Sequence, residues 1–132
     1  SLQFRRSEKV VERIYEVAKE IFLDDMLDEQ AELLSHGQKQ WLEIGMLLVQ
    51  NPDLVMLDEP VAGMTAKERD ATAELLRKIA KERSIVIIEH DMDFVAKIAD
   101  QVTVLHLGKI LKEGSMDEVR NDPEVQEVYL GH

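Results

Sequence analysis

The sequence predicts an α/β fold in which a helical first part precedes a strand–helix–strand unit. Apolar residues recur at helical spacing over residues 7–22, and a second helical stretch ends before Pro52. Two short apolar runs, residues 54–57 and 84–88, flank a third amphipathic helix. Runs of this length are typical of strands buried in a parallel sheet, and a helix between them predicts a right-handed crossover. The chain therefore divides at about residue 50.

Each predicted element follows from a local signal of spacing or turn chemistry. Ser7 and Thr65 are suitable N-caps, Pro52 cannot continue a helix, and Gly108 separates two strand-like segments. The predicted helices cover residues 7–22, 31–34, 36–50, 65–81, 92–100, 116–120 and 123–130. The predicted strands cover residues 54–57, 84–88, 102–107 and 109–113, and the last two form a hairpin at the edge of the sheet.

The composition excludes several classes of function. A net charge of -11 disfavours binding to a nucleic-acid backbone and attachment to anionic lipid head groups. The absence of cysteine excludes disulfides and thiolate metal sites. No apolar run approaches the roughly 18–20 residues that a membrane-spanning helix needs. We therefore expect no nucleic-acid partner and no direct membrane insertion.

The strongest chemical signal is the pair Asp58 and Glu59, which directly follows the apolar run 54–57. Ligands of open α/β sheets bind at the carboxyl ends of the strands. Asp58 is suited to holding Mg²⁺, directly or through water, and Glu59 is suited to polarising an attacking water. Acidic pairs also open many ordinary loops. The complete apolar run before the pair and Pro60 after it favour the functional interpretation.

A second signal lies directly before a predicted helix, at Ser35, His36, Gly37 and Gln38. The spacing of Ser35 and Gln38 is that of a capping box, which by itself is only structural. Gly37 permits close approach to the helix N-terminus, where free N–H groups suit an anion such as a phosphate. Taken alone, this pattern describes a plain helix cap better than a binding site.

His90 is a third candidate because it follows the second apolar run. A lone histidine is more often a hydrogen-bonded structural residue than a catalytic one. If the two strands are parallel, however, His90 emerges at the same edge of the sheet as Asp58 and Glu59. That expected placement favours a functional role.

In order and spacing, these segments resemble the motifs of the ATP-binding-cassette (ABC) ATPases. Residues 34–38 resemble the signature motif, residues 54–59 the Walker B strand with its catalytic glutamate, and His90 the switch histidine. Residues 61–65 occupy the place of the D-loop. The resemblance covers essentially the whole chain, and it implies a partial P-loop NTPase fold. Its parts would be a helical subdomain over residues 1–50 and the C-terminal part of the RecA-like ATPase core over residues 51–132.

Within the family, the chain is most similar to the ATP-binding subunits of urea and branched-chain amino-acid importers. The similarity is carried by residues 35–45, 58–65, 89–95 and 121–131. His36 and residues 61–65 favour the urea type. His36 stands where most members have glycine, which adds a side chain near the expected phosphate.

The family's phosphate-binding loop has no counterpart in this sequence. No G-x-x-x-x-G-K-[ST] pattern occurs, and the family's adenine platform and Q-loop glutamine are expected upstream of Ser1. We therefore expect the chain to begin inside the domain, with the Walker A half of the fold absent. We also expect the chain alone to hydrolyse ATP negligibly.

The resemblance implies a site shared between two ATPase subunits, with ATP and Mg²⁺ as cofactors. Asp58 would organise the metal, Glu59 and His90 would be catalytic, and residues 35–38 would close the ATP site of the partner subunit. Transporter membrane subunits would be further partners and would hold the protein at the cytoplasmic face of the cell membrane.

Two other functions stay open. The chain could be a non-catalytic binding or assembly module that complements a separate N-terminal half. It could also belong to an ABC ATPase of the DNA-repair or chromosome-organising kind. The acidic composition and the absence of a long heptad run disfavour the second alternative.

Overall fold

The computed structural model describes residues 7–129, which form two compact units. The first unit extends to His90 and the second begins at Asp91. The helices are α1 (Glu8–Glu20), α2 (His36–Leu48), α3 (Ala66–Ile79), α4 (Met92–Ile98), α5 (Met116–Arg120) and α6 (Pro123–Tyr129). The strands are β1 (Leu54–Asp58), β2 (Ser84–Ile88), β3 (Val102–His106) and β4 (Lys109–Gly114). Short 3₁₀ helices occupy Asp24–Met26 and Ala31–Leu33.

Side-chain caps explain where the three long helices begin. The Ser7 hydroxyl accepts a hydrogen bond from the backbone N–H of Val10, and Ser35 and Thr65 each form a complete capping box. Such caps contribute about 1 kcal/mol each to helix stability. The predicted helices of the first unit are confirmed, with ends that differ by one or two residues. The last residue of the predicted helix 123–130 lies outside the described residues.

Helices α1 and α2 pack together through apolar side chains and one arginine. Val17, Ile21, Ile44 and Leu48 are buried in this part of the unit. Arg13 of α1 donates hydrogen bonds to the carbonyl oxygen of Leu48 at 2.8 Å and to the side-chain oxygen of Asn51 at 2.7 Å. The guanidinium therefore caps the C-terminal end of α2, where unpaired carbonyl groups favour a cation.

Strands β1 and β2 pair in parallel, which confirms the predicted crossover unit. The register places Leu54 opposite Ser84 and Asp58 opposite Ile88. The apolar runs predicted that both faces of the sheet are buried, and for the described residues this prediction is wrong. One face carries Val55, which is 2% exposed, whereas side chains of the other face are about half exposed. The side chains of this open face are Leu54, Met56, Val86 and Ile88. A continuous apolar run indicates a strand, but it does not show which neighbours cover each face.

The second unit is built around the hairpin of β3 and β4. Leu107 and Gly108 both have positive φ, as a tight two-residue turn requires. Val104, Val119 and Val125 form the core of this unit. The hairpin itself is confirmed, but its predicted place at the edge of the parallel sheet is wrong. The two strands form a separate two-stranded sheet. The tight turn predicts that they pair with each other, but it gives no information on whether a third strand joins them.

Among residues 7–129, no helix has both the length and the apolar character that crossing a bilayer demands. The two compact units are separated after His90. This boundary differs from the predicted one at residue 50 between a helical subdomain and an ATPase core, which stays a prediction.

Candidate functional site

The carboxyl ends of β1 and β2 bring the predicted catalytic residues to one place. The strands run in parallel and in register, so Asp58 lies opposite Ile88. The backbone N–H of Glu59 extends this pairing by donating to the carbonyl oxygen of Ile88 at 2.8 Å. His90 follows two residues after Ile88 and returns to the same edge of the sheet. The expected placement of His90 beside the carboxylate pair is therefore seen in the structure.

Glu59 and His90 are in direct contact. The Nδ1 atom of His90 lies 2.7 Å from Oε1 of Glu59. Because an ionised carboxylate can only accept, Nδ1 carries the hydrogen in this contact, which leaves Nε2 of the ring for another partner. The two side chains are partly open to solvent, at 76% for His90 and 43% for Glu59. The pair can therefore reach a ligand and has little value as a stabilising ion pair.

The backbone of Glu59 adopts a conformation that is uncommon for residues other than glycine. Its φ is +48°, in the left-handed region. This conformation costs roughly 1–2 kcal/mol for a residue with a side chain. It turns the chain out of β1, and the carbonyl oxygen of Glu59 then accepts from the N–H of Ala62 at 3.2 Å. Strain of this kind is frequent where a side chain must be held in a functional position.

Glu89 is a further acidic residue at this edge of the sheet. Its side chain is only 2% exposed, and its Oε2 atom accepts from the backbone N–H of His90 at 3.1 Å. The same oxygen lies 3.9 Å from Nδ1 of His90. Glu89 thus contacts both the backbone and the ring of His90 while its own side chain is shielded from solvent. The sequence placed Glu89 next to His90 but gave no signal of its burial.

Asp58 has the chemistry that a magnesium ion requires. The residue is exposed at the end of β1, and its side chain makes no hydrogen bond or ion pair within the described part of the chain. Magnesium is usually held by one or two carboxylates together with phosphate oxygens and water. Residues 7–129 contain no group of three or more His, Asp or Glu residues that could hold a metal by themselves. A site on Asp58 would therefore need oxygens from a bound phosphate or from water.

The segment at residues 34–38, named here the signature segment, forms the start of α2. The Ser35 hydroxyl accepts from the N–H of Gln38 at 3.2 Å, and the Gln38 side chain accepts from the N–H of Ser35 at 2.9 Å. This capping box satisfies two of the groups that an anion would otherwise use. Gly37 is buried, and the Glu68 carboxylate fills the space beside it, because a Cβ built on Gly37 would lie 2.4 Å from Glu68 Oε2. The close approach of the Glu68 side chain is therefore sufficient to explain why residue 37 is a glycine.

His36 contacts the turn that follows Glu59. Its Nε2 atom lies 2.8 Å from the carbonyl oxygen of Ala62. The ring also lies against Gly63, where an added Cβ would come within 2.9 Å of the imidazole. Sequence reasoning placed His36 near a partner's phosphate and did not foresee this internal contact. The predicted roles of His36 and its neighbours at a phosphate stay predictions.

A second link between α2 and α3, after that of Gly37 and Glu68, lies one turn further along each helix. The indole N–H of Trp41 donates to the Thr72 hydroxyl at 2.8 Å, and that hydroxyl donates to the Glu68 carbonyl oxygen. Thr72 is fully buried. The described contacts therefore arrange the candidate residues in two clusters: Asp58, Glu59 and His90 at the sheet, and the signature segment on α2. The turn at residues 61–65 and the first turn of α3 follow Glu59 in sequence and contact the second cluster.

Two family models match this sequence. The model described as "ABC transporter" matches residues 3–62, which include the signature segment and the carboxylate pair. The model described as "Branched-chain amino acid ATP-binding cassette transporter" matches residues 113–132. The matched segments lie in both parts of the chain, and both models belong to ABC transporters.

Curated relatives match the chain over almost its full length. It is 36% identical over 131 residues to the high-affinity branched-chain amino acid transport ATP-binding protein BraF of Pseudomonas aeruginosa. It is 35% identical over 131 residues to the corresponding protein LivG of Escherichia coli K12. Each alignment covers 97% of this chain but 51% of the relative. The chain thus spans about half the length of the curated relatives it matches.

Solved structures agree with the sequence comparisons. An ATP-binding cassette of an ABC transporter in its ADP conformation superposes with a TM-score of 0.86 at 31% identity, covering 100% of this chain and 54% of that one. The structure of cbiO1 from Clostridium perfringens, part of an ABC transporter complex, gives a TM-score of 0.81 at 30% identity and covers 98% and 53%. The predicted fold class is thereby confirmed. The chain belongs to the family of ABC transporter ATP-binding proteins, and within that family it is a homologue of the branched-chain amino acid transport type.

Proposed function

We propose that this chain supplies the hydrolytic carboxylates of an ATP-binding and ATP-hydrolysing subunit of an ABC importer. The observation that carries the proposal is the contact between Glu59 and His90 at the carboxyl end of the β1–β2 pair. Two ordinary surface residues would have no need of the left-handed backbone of Glu59 or of the buried Glu89 beside His90. The arrangement is consistent with a water-activating carboxylate whose orientation is fixed by a histidine.

The three residues at the sheet would divide the work of hydrolysis. Glu59 would accept a hydrogen bond from the attacking water, and His90 would hold Glu59 through Nδ1 and face the γ-phosphate with Nε2. Asp58 would hold Mg²⁺, which supplies charge neutralisation for the phosphate oxygens when it is bound. Phosphoryl transfer depends mostly on positioning and on charge neutralisation, so small displacements of these side chains should have large effects on rate.

The signature segment would act on the ATP of a partner ATPase subunit. Ser35, Gly37 and Gln38 lie in or before the first turn of α2, where the positive end of the helix dipole favours an anion, although the capping box occupies the N–H groups of Ser35 and Gln38. His36, the first residue of α2, would lie near that phosphate. The parent subunit would therefore work as a dimer of ATPase subunits on the membrane subunits of a transporter, at the cytoplasmic face of the membrane.

The transported substrate would be a branched-chain amino acid or urea. The curated relatives named above are branched-chain amino acid transport proteins. His36 and residues 61–65 resemble the urea type. Membrane subunits and binding proteins would select that substrate in such importers.

An ATPase assay on a chimera tests this proposal. The chimera is LivG of Escherichia coli in which this chain replaces the matched segment, and it is named here the LivG chimera. We expect it to hydrolyse ATP in the presence of Mg²⁺ at a rate within about tenfold of LivG itself, because the carboxylates are placed by a shared fold. A folded chimera that binds ATP and does not hydrolyse it would instead support the alternative of a non-catalytic assembly module.

A further inference from the structure

We propose that His36 is a positioning residue for Glu59, acting through the turn at residues 61–65. The contact joins the signature segment to the hydrolytic residue of the same chain. The inference rests on the proposed hydrolytic role of Glu59, but the contact itself concerns only residues of this chain and needs no nucleotide.

The first step is the hydrogen bond between the imidazole and the turn. Nε2 of His36 lies 2.8 Å from the carbonyl oxygen of Ala62. Because a carbonyl oxygen only accepts, the ring must carry its hydrogen on Nε2. His36 is the first residue of α2, and the capping box of Ser35 and Gln38 fixes the backbone on which it stands. The donor is thus held by a rigid element.

The second step is the position of Ala62 within the turn. Its N–H donates to the carbonyl oxygen of Glu59 at 3.2 Å, while its own carbonyl oxygen accepts from His36. The single residue Ala62 therefore joins His36 to Glu59. Gly63 has a φ of +72° and leaves room for the ring, since a Cβ there would lie 2.9 Å from the imidazole. A displacement of the ring is passed to Glu59 through one intervening residue.

The third step is a further contact between α2 and the end of the turn, made through Glu68. The Glu68 carboxylate lies against Gly37 and accepts from the N–H of Thr65 at 3.2 Å. Consecutive residues of α2 therefore meet the turn and its cap: His36 bonds to Ala62, and Gly37 packs against the carboxylate that caps Thr65. Glu59, with its left-handed φ of +48°, depends on such surrounding contacts to keep its conformation.

The experiment measures amide hydrogen exchange and chemical shifts by NMR on the nucleotide-free chain. The reporters are the N–H groups of Ala62 and Met64, which donate to Glu59 and Val61 within the turn. We expect His36→Ala to raise their exchange rates by about fivefold, the effect of one lost hydrogen bond of ordinary strength. The resonances of Glu59 and His90 should shift as well. His36→Gln should restore the exchange rates and the resonances, because the Nε2 atom of glutamine can donate a hydrogen bond from a similar distance along the side chain.

Two controls separate positioning from general destabilisation. His106→Ala removes a histidine of the second unit and should leave the reporters unchanged. The N–H of Leu23, which donates to the Ala18 carbonyl oxygen within the helical part, reports on global opening. The inference requires that its exchange stay constant while that of Ala62 rises.

Several results would overturn the inference. They are unchanged exchange at Ala62 in His36→Ala, an equal rise at Leu23, or a His36→Gln variant that behaves like His36→Ala. In the unsubstituted chain, an imidazole of His36 with its hydrogen on Nδ1 alone would also overturn it, and this measurement needs no variant. None of these outcomes bears on hydrolysis by Glu59. Conversely, a LivG chimera without activity would remove the proposed function and leave the positioning result intact.

Discussion

Glu59→Gln in the LivG chimera should lower the turnover of ATP by about 100- to 10,000-fold, the usual contribution of a general base. Glutamine keeps the size of the side chain and can still contact His90, but it cannot take up a proton from water. The contact at 2.7 Å and the backbone of Glu59 should persist, so the variant should fold normally. Initial rates of phosphate release, measured at saturating Mg²⁺-ATP, provide the comparison.

Glu82→Gln is the matched control for this change. Glu82 is exposed and lies between α3 and the first residue of β2, at the opposite end of that strand from His90. The Glu82→Gln chimera should turn over ATP at the same rate as the unsubstituted chimera. If Glu59→Gln retained full turnover while Glu82→Gln behaved normally, Glu59 would not be the residue that activates water.

His90→Ala in the same chimera should lower turnover by about 100- to 1,000-fold, comparable to the loss of one positioned donor in other active sites. The substitution removes both the Nδ1 contact that orients Glu59 and the Nε2 atom that would face the γ-phosphate. Stability should change by less than about 1 kcal/mol, because both partners are open to solvent. Turnover and the midpoint of thermal unfolding are therefore measured together.

His106→Ala serves as the control histidine, since it belongs to the second unit and lies outside the candidate site. A His90→Ala variant that unfolds much earlier than the control would indicate a structural role. A variant with normal stability and normal turnover would show that Glu59 needs no histidine partner.

Much of the fold could be predicted because its signals are local. Ser35 and Thr65 start helices through contacts with residues three positions later, and Pro52 ends one. The parallel pairing of β1 and β2 follows from two apolar runs separated by a helix, and this pairing predicts that His90 lies beside Glu59. The two residues meet because the register of a parallel pair is fixed along its whole length.

The remaining features depend on long-range packing that no local pattern encodes. Glu89 looks like any acidic residue in sequence, and only the packing around it makes its side chain 2% exposed. The approach of Glu68 to Gly37 and of His36 to Ala62 depends on how the starts of α2 and α3 meet. The same limit applies to the open face of the β1–β2 sheet, whose residues read as core but are exposed.

The most direct test of the account is a titration of Mg²⁺-ATP, performed in parallel on this chain alone and on the LivG chimera, each carrying Glu59→Gln to prevent turnover. The chain is proposed to provide carboxylates and a helix N-terminus but no phosphate-binding loop, since its sequence contains no G-x-x-x-x-G-K-[ST] pattern. We therefore expect saturable binding by the chimera and none by the chain alone at millimolar nucleotide. Saturable, magnesium-dependent binding by the chain alone would contradict the account, because it would show a phosphate cradle among residues that are assigned other roles.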